Sequence, residues 1–106
     1  MGPVTVGDLA SGRAGDKGAT LDLTLVAADQ RAYRILAGEL TAEAVARRLG
    51  ARDAARYELP RLAALKFVLP EFLGAGPWAS RRAGVHWQKT AISAVLSMKV
   101  VGQDGD

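Results

Sequence analysis

Thr20-Leu21-Asp22-Leu23-Thr24-Leu25-Val26 is the stretch whose reading decides the fold. Leucines at 21, 23 and 25 alternate with polar residues, so an extended chain here carries one apolar face and one polar face. This is a strand half-buried against a core. Upstream, Val4-Thr5-Val6-Gly7-Asp8-Leu9 is shorter but also rich in β-formers, and reads as a first strand. Between the two, Ser11-Gly12-Arg13-Ala14-Gly15-Asp16-Lys17-Gly18 reads as a glycine-rich loop.

Downstream, Asp29 is placed to cap a helix in which Tyr33, Leu36 and Leu40 recur at helical spacing, with Gly38 breaking or bending it. Thr41 caps a second helix, where Val45 and Leu49 lie one turn apart and Gly50 provides the stop. Alternation returns at Ala55, Tyr57 and Leu59, and again at Ala63, Leu65, Phe67 and Leu69, with Pro60 dividing the two strands. Pro70 to Gly84 holds three glycines and two prolines, a composition for an irregular loop. A last helix is expected from Trp87 to Lys99, its stripe formed by Trp87, Ala91, Ile92, Val95, Leu96 and Met98. Strand, strand, helix pair, strand, strand, helix gives an α+β two-layer sandwich: a four-stranded antiparallel sheet with helices on one face. The architecture is ferredoxin-like, although the order differs from βαββαβ. Residues 1–101 form one domain in this reading, and 102–106 form a frayed tail.

Composition narrows the function classes. The chain has 106 residues, 49% hydrophobic and 24% charged, which suits one globular core rather than disorder. It has no cysteine and one histidine, His86, so disulfide frameworks, thiolate metal sites and histidine-rich zinc sites are excluded, and neither a metal nor a cofactor is expected. His86 stands beside no GxSxG elbow and reads as a helix-start residue. The segment Met1-Gly2-Pro3 does not begin a signal peptide and no apolar run reaches membrane length, so the default compartment is the cytoplasm. The formal charge is +3, but the basic residues are dispersed and aromatics are only 6%, which argues against nucleic acid. A mildly basic surface suits a small acidic metabolite or an acidic protein partner.

Three segments carry a family resemblance. They are Gly15-Asp16-Lys17-Gly18, Arg56-Tyr57-Glu58-Leu59-Pro60, and Ala64-Leu65-Lys66-Phe67-Val68-Leu69 followed by Leu73-Gly74-Ala75-Gly76 and Ser80. In this order the chain resembles the C-terminal ferredoxin-like domain of the AtuA (acyclic terpene utilisation) family, from about Gly7 to Met98. It departs from the family pattern at Ala19, where an aspartate is usual, at Lys66, where an asparagine is usual, and at Pro77-Trp78 in place of Gly-Thr. The resemblance implies a small subunit working with a large AtuA-like subunit, part of an enzyme rather than a catalyst alone. It implies a carboxylate or thioester substrate of acyl, terpenoid or polyketide-like type, with hydration or dehydration (a lyase step) as the reaction class.

Within Ser11 to Thr20, glycine N–H groups together with Arg13 and Lys17 compose a cradle for a carboxylate or phosphate, with Gly15 and Gly18 supplying backbone donors. The same residues also read as a hairpin whose glycines serve turn geometry and whose Lys17 is solvated. Asp16 is a candidate base or partner of Lys17, and equally a residue bonding its own turn. Glu58 reads as half of an ion pair with Arg56 and Lys66 on a solvated face. Ser80 and Arg82 are candidate anion-binding groups, since guanidinium forks bind carboxylates bidentately. Trp78 and Arg81 are candidate interface anchors, against the alternative that Trp78 folds onto the domain's own core. The rival to a small enzyme subunit is a homo-oligomeric, non-catalytic binding module for a small acid.

Overall fold

The computed structural model describes residues 4–72 and 84–101, with 84–88 as backbone. In chain order the elements are β1 (Val4–Thr5), α1 (Val6–Leu9), β2 (Ala10–Lys17), β3 (Thr20–Ala27), α2 (Gln30–Glu39), α3 (Ala42–Leu49) and β4 (Ala55–Leu59). A 3-10 turn (Pro60–Leu62), β5 (Ala64–Leu69), α4 (Gly84–Leu96) and β6 (Lys99–Val100) follow. The main sheet runs β2-β3-β5-β4, every neighbouring pair antiparallel. Because β3 and β4 both run antiparallel to β5, they are parallel to each other with β5 between them. The α2–α3 pair is thus the crossover of a split β-α-β unit, the arrangement of a ferredoxin-like half. The expected two-layer α+β sandwich is what the chain forms.

The core is built by the leucine alternation. Leu21, Leu23 and Leu25 of β3 stand opposite Leu69, Phe67 and Leu65 of β5, and all six are essentially sealed from solvent. Tyr33, Leu36, Leu40, Val45, Leu49, Ala91 and Val95 close over them from the helices. Burial of one such side chain is worth about 1.5–3 kcal/mol, and truncating Phe67 to alanine at the centre is expected to cost ~3–5 kcal/mol.

The capping signals act where the sequence placed them. Asp29 Oδ1 accepts from Ala32 N at 2.8 Å, and Thr41 Oγ1 from Ala44 N at 3.0 Å. Gly50, at φ 68°, takes the left-handed turn that ends α3. Gly38 does not break its helix, which runs on to Glu39 and gives way at Leu40. Two arginines bind at helix C-termini, where carbonyls lack intrahelical donors, one tying sheet to helix and the other tying helix to helix. Arg56 Nη1 on β4 donates to Ala37 O (2.8 Å) and Leu40 O (3.2 Å) at the end of α2. Arg48 Nε on α3 donates to Ala94 O (3.1 Å) and its Nη2 to Ser97 Oγ (2.7 Å) at the end of α4.

Three elements differ from the sequence reading. Val4–Leu9 is not one strand: Thr5 Oγ1 accepts from Asp8 N at 3.2 Å while Thr5 N donates to Asp8 Oδ2 at 2.9 Å. This capping box turns the chain into α1 despite its β-rich composition. The supposed loop Ser11–Lys17 is strand β2, paired with β3 from Ala10↔Ala27 to Lys17↔Thr20. Finally, α4 ends at Leu96, and Lys99-Val100 leave it to pair with Thr5 and Val4 in a two-stranded ladder.

One group inside the helix layer is poorly served. Tyr33 is buried, and its hydroxyl has no hydrogen-bond partner among the described residues. A buried hydroxyl without a partner carries its full desolvation cost, about 1–3 kcal/mol. Tyr33→Phe is therefore expected to match or exceed the parent in stability by urea unfolding. A loss above about 1 kcal/mol would show that the hydroxyl is hydrogen-bonded in solution.

Candidate functional site

Strand parity sorts the candidate residues. Directly opposed residues of a ladder share a face. Gly12, Ala14 and Asp16 stand opposite Leu25, Leu23 and Leu21, and so belong to the helix-covered side of the sheet. Ser11, Arg13, Gly15 and Lys17 stand opposite Val26, Thr24, Asp22 and Thr20, on the side away from the helices. The ladder carries this parity onward, giving two rows across the open face: Arg13–Thr24–Lys66–Tyr57 and Gly15–Asp22–Val68–Ala55. A third row is Ser11–Val26–Ala64–Leu59.

This placement brings Arg13 and Lys17 onto one face but spaces them four residues apart along a straight strand, about 13 Å at 3.3 Å per residue. Asp16, next to Lys17 in sequence, projects from the opposite side. The glycine N–H groups lie along a strand and do not converge as they would in a loop. Gly18 does serve turn geometry: Lys17↔Thr20 pairing leaves a two-residue connection, Gly18-Ala19, in which Gly18 takes φ 63°. Gly12 has another purpose. A Cβ there would lie 2.7 Å from Ile92 Cδ1, so the glycine makes room for the Ile92 side chain of α4 against β2. Gly15 has open space around it.

Among the described residues, neither the Arg13 nor the Lys17 side chain has a hydrogen-bonding or ion-pairing partner. Lys66 Nζ meets Asp22 Oδ2 at 3.0 Å across β3 and β5. Arg56 Nη2 meets Glu58 Oε2 at 2.6 Å along β4, on the other side of the sheet. Glu58 thus pairs with Arg56 along its own strand on the helix-covered side and not across strands on a solvated face, and Lys66 is not part of it, because the register puts Lys66 opposite Tyr57 and Thr24. Trp78, Ser80, Arg81 and Arg82 lie outside the described residues, as does the His86 side chain. The segment that carries the first four departs from Leu69. That residue pairs with Leu21, one step from the Lys17↔Thr20 turn, so the segment begins at the GDKG end of the sheet.

Sequence reading missed a cleft of about 230 Å³ between α1 and the start of α2, lined by Val4, Asp8, Leu9, Ala28, Asp29, Arg31, Ala32 and Ile35. Its two carboxylates are engaged as caps. Asp8 is held below the usual carboxylate range by the backbone N–H of Thr5 first and the Thr5 side chain second. The signal was legible as Thr5-x-x-Asp8 capping spacing. No three His, Cys, Asp or Glu side chains group as a metal site requires among the described residues, and no helix there is long and apolar enough to cross a membrane.

The three resemblance segments now have positions: GDKG closes β2 and opens the turn, Arg56–Leu59 form edge strand β4, and Ala64–Leu69 are β5. All lie in one sheet. The model of the AtuA ferredoxin-like domain matches residues 4–101, nearly the whole chain. The chain belongs to that family. Comparison with curated proteins and with solved structures finds no match. In this AtuA ferredoxin-like domain the departures fall at two described places. Ala19 sits in the β2–β3 turn, and Lys66 lies on the open face, beside Asp22.

Gly12 and Gly15 separate packing from binding. Gly12→Val drives the Ile92 side chain from its place against β2 and is expected to lower stability by about 1–3 kcal/mol. Gly15→Val projects into open space on a strand and should stay within about 0.5 kcal/mol of the parent. Chemical denaturation of both variants checks this. Equal losses would mean that β2 does not hold the register described.

Proposed function

We propose that this chain is an accessory module of an AtuA-related enzyme, acting beside a large AtuA-related chain and contributing one wall to a site shared with it. The substrate class is a carboxylate or thioester of acyl, terpenoid or polyketide-like type, and the step is a hydration or dehydration. The observation that supports the reading is the match of the AtuA ferredoxin-like domain over residues 4–101. The disposition of polar side chains supports it. Asp8, Asp29, Thr41, Arg48 and Arg56 are engaged in caps and in ties between elements, whereas Arg13 and Lys17 face outward on the open side of the sheet.

In this proposal Arg13, Lys17 and the Gly15–Gly18 turn hold the acidic end of the substrate. Lys17 is the candidate proton-transfer group on that face; Asp16, the other candidate, projects from the opposite side of the sheet and would act there. Ser80, Arg81, Arg82 and Trp78, carried by the segment that leaves the sheet at the same end, complete the binding and the contact with the partner. A guanidinium and an ammonium on one strand suit an acyl carboxylate or a polyphosphate-bearing thioester carrier.

Co-expression with the large AtuA-related chain of the same source tests the reading. A stable one-to-one complex on size exclusion is expected, with hydratase or dehydratase activity on an acyl substrate present only in the complex. Lys17→Ala should then raise KM for the acidic substrate several-fold while leaving melting unchanged. A chain that self-associates, ignores the large chain and still binds small acids would instead mark a binding module without catalysis.

A further inference from the structure

The helix layer covers one side of the main sheet, and among the described residues no element lies over the other. That face has two unlike ends. Three of the five large apolar side chains exposed among the described residues lie in its rows toward the β4–β5 end, Val26 (43% exposed), Tyr57 (54%) and Leu59 (37%), and a fourth, Leu62 (67%), is on the adjoining turn. Val26 and Leu59 flank Ala64 in one row, and Leu62 stands on the 3-10 turn that joins Leu59 to Ala64. The β2 side carries Arg13 and Lys17, and the middle carries the Lys66–Asp22 pair. The sheet face therefore holds three cations against one carboxylate, beside an apolar patch.

We infer that this open face is the docking surface for a different polypeptide, one that presents an apolar patch bordered by carboxylates. Resting on the two-chain reading above, this partner is the large AtuA-related chain. Exposed apolar side chains gathered at one place on a surface mark a contact rather than ordinary surface composition. The charge decides between occupants. A second copy of this chain stacked on the same face would oppose two surfaces that each carry three cations against one carboxylate, and a net charge of the same sign on both sides of an interface works against association. An acidic partner surface meets the same groups with complementary sign. The apolar end supplies the desolvated centre of the contact, and Arg13 and Lys17 at the far edge supply register and rate of encounter.

The test measures binding of the purified large AtuA-related chain, without substrate, by titration calorimetry and by association kinetics at low and high salt. Tyr57→Glu combined with Leu62→Glu is expected to weaken binding at least tenfold. Arg13→Glu combined with Lys17→Glu is expected to slow association several-fold at low salt and to flatten its salt dependence. Because these two positions are exposed and make no core contact, the second pair reports on docking even if the first pair disturbs folding. Arg34→Glu, on the exposed side of the helix layer, should bind like the parent. If the parent binds and both open-face pairs bind equally well, the inference fails while the two-chain reading stands. If the parent does not bind the large chain at all, both fail. Sedimentation showing a dimer of the chain alone that Leu62→Glu dissolves would give the face to a second copy and overturn the inference as well. Because no substrate is present, loss of binding on Arg13 and Lys17 reversal reports partner carboxylates and not a substrate's.

Discussion

Everything in this structure hangs on β3 having one apolar face and two neighbours. Leu21, Leu23 and Leu25 can leave water only on one side of the sheet, so the helices must pack on that side. Period-two geometry then fixes the facing of every residue opposed to them: a one-residue slip of β2 or β5 would bring Lys66 or Arg13 into the core. The cost of burying an unpaired charge makes that slip prohibitive, so the hydrophobic alternation of one strand determines which charges share the open face. Phe67 opposite Leu23 is the centre of this arrangement, with the rest of the buried cluster around it.

That constraint explains which parts of the fold were legible in the sequence. Strands β3, β4 and β5 show in their alternation, and α2 and α3 in Asp29, Thr41 and Gly50, because each of these signals is local. Strand β2 was not legible, since its core-facing residues Ala10, Gly12 and Ala14 are small and show no apolar alternation. Their smallness answers to α4, which comes only at Gly84–Leu96 of the sequence, and only the folded chain shows that Gly12 is empty to make room for Ile92. The first strand was misread for the opposite reason. Val4, Val6 and Leu9 have β propensity, but the Thr5–Asp8 box satisfies the donors of a helical turn, and local hydrogen bonding outweighs a weak propensity over so short a span.

The candidate site was legible in residue type but not in geometry. Glycines flanking Arg13 and Lys17 compose equally well a cradle or a strand ending in a tight turn, and the choice rests on pairing with β3 that no local pattern reveals. Only Gly18 needs to be glycine for its backbone, having φ 63° in the turn. Once the strand is in place, its parity divides Asp16 from Arg13 and Lys17. Two adjacent residues that look like a catalytic dyad in sequence then point to opposite sides of a sheet. Proton transfer by Asp16 and anion binding by Arg13 would accordingly operate on different surfaces of the domain.

The Lys66–Asp22 pair shows how the open face acquires its net sign. At this position the family resemblance leads one to expect a neutral asparagine, which would leave Asp22 as an exposed carboxylate in the middle of the sheet. With lysine there, Asp22 is neutralised at 3.0 Å by its cross-strand neighbour. Both partners are partly exposed, so the pair adds only a few tenths of a kcal/mol to about 1 kcal/mol of stability. Its larger consequence is electrostatic: with Asp22 compensated, the field over the face is set by Arg13 and Lys17 on β2. A substitution that scarcely affects folding thereby changes what the surface attracts, and it does so in the row that also carries Tyr57 at the edge of the apolar patch. The charged and apolar parts of the face are consequently joined through β5, so that a partner reaching the patch also comes within range of the cations.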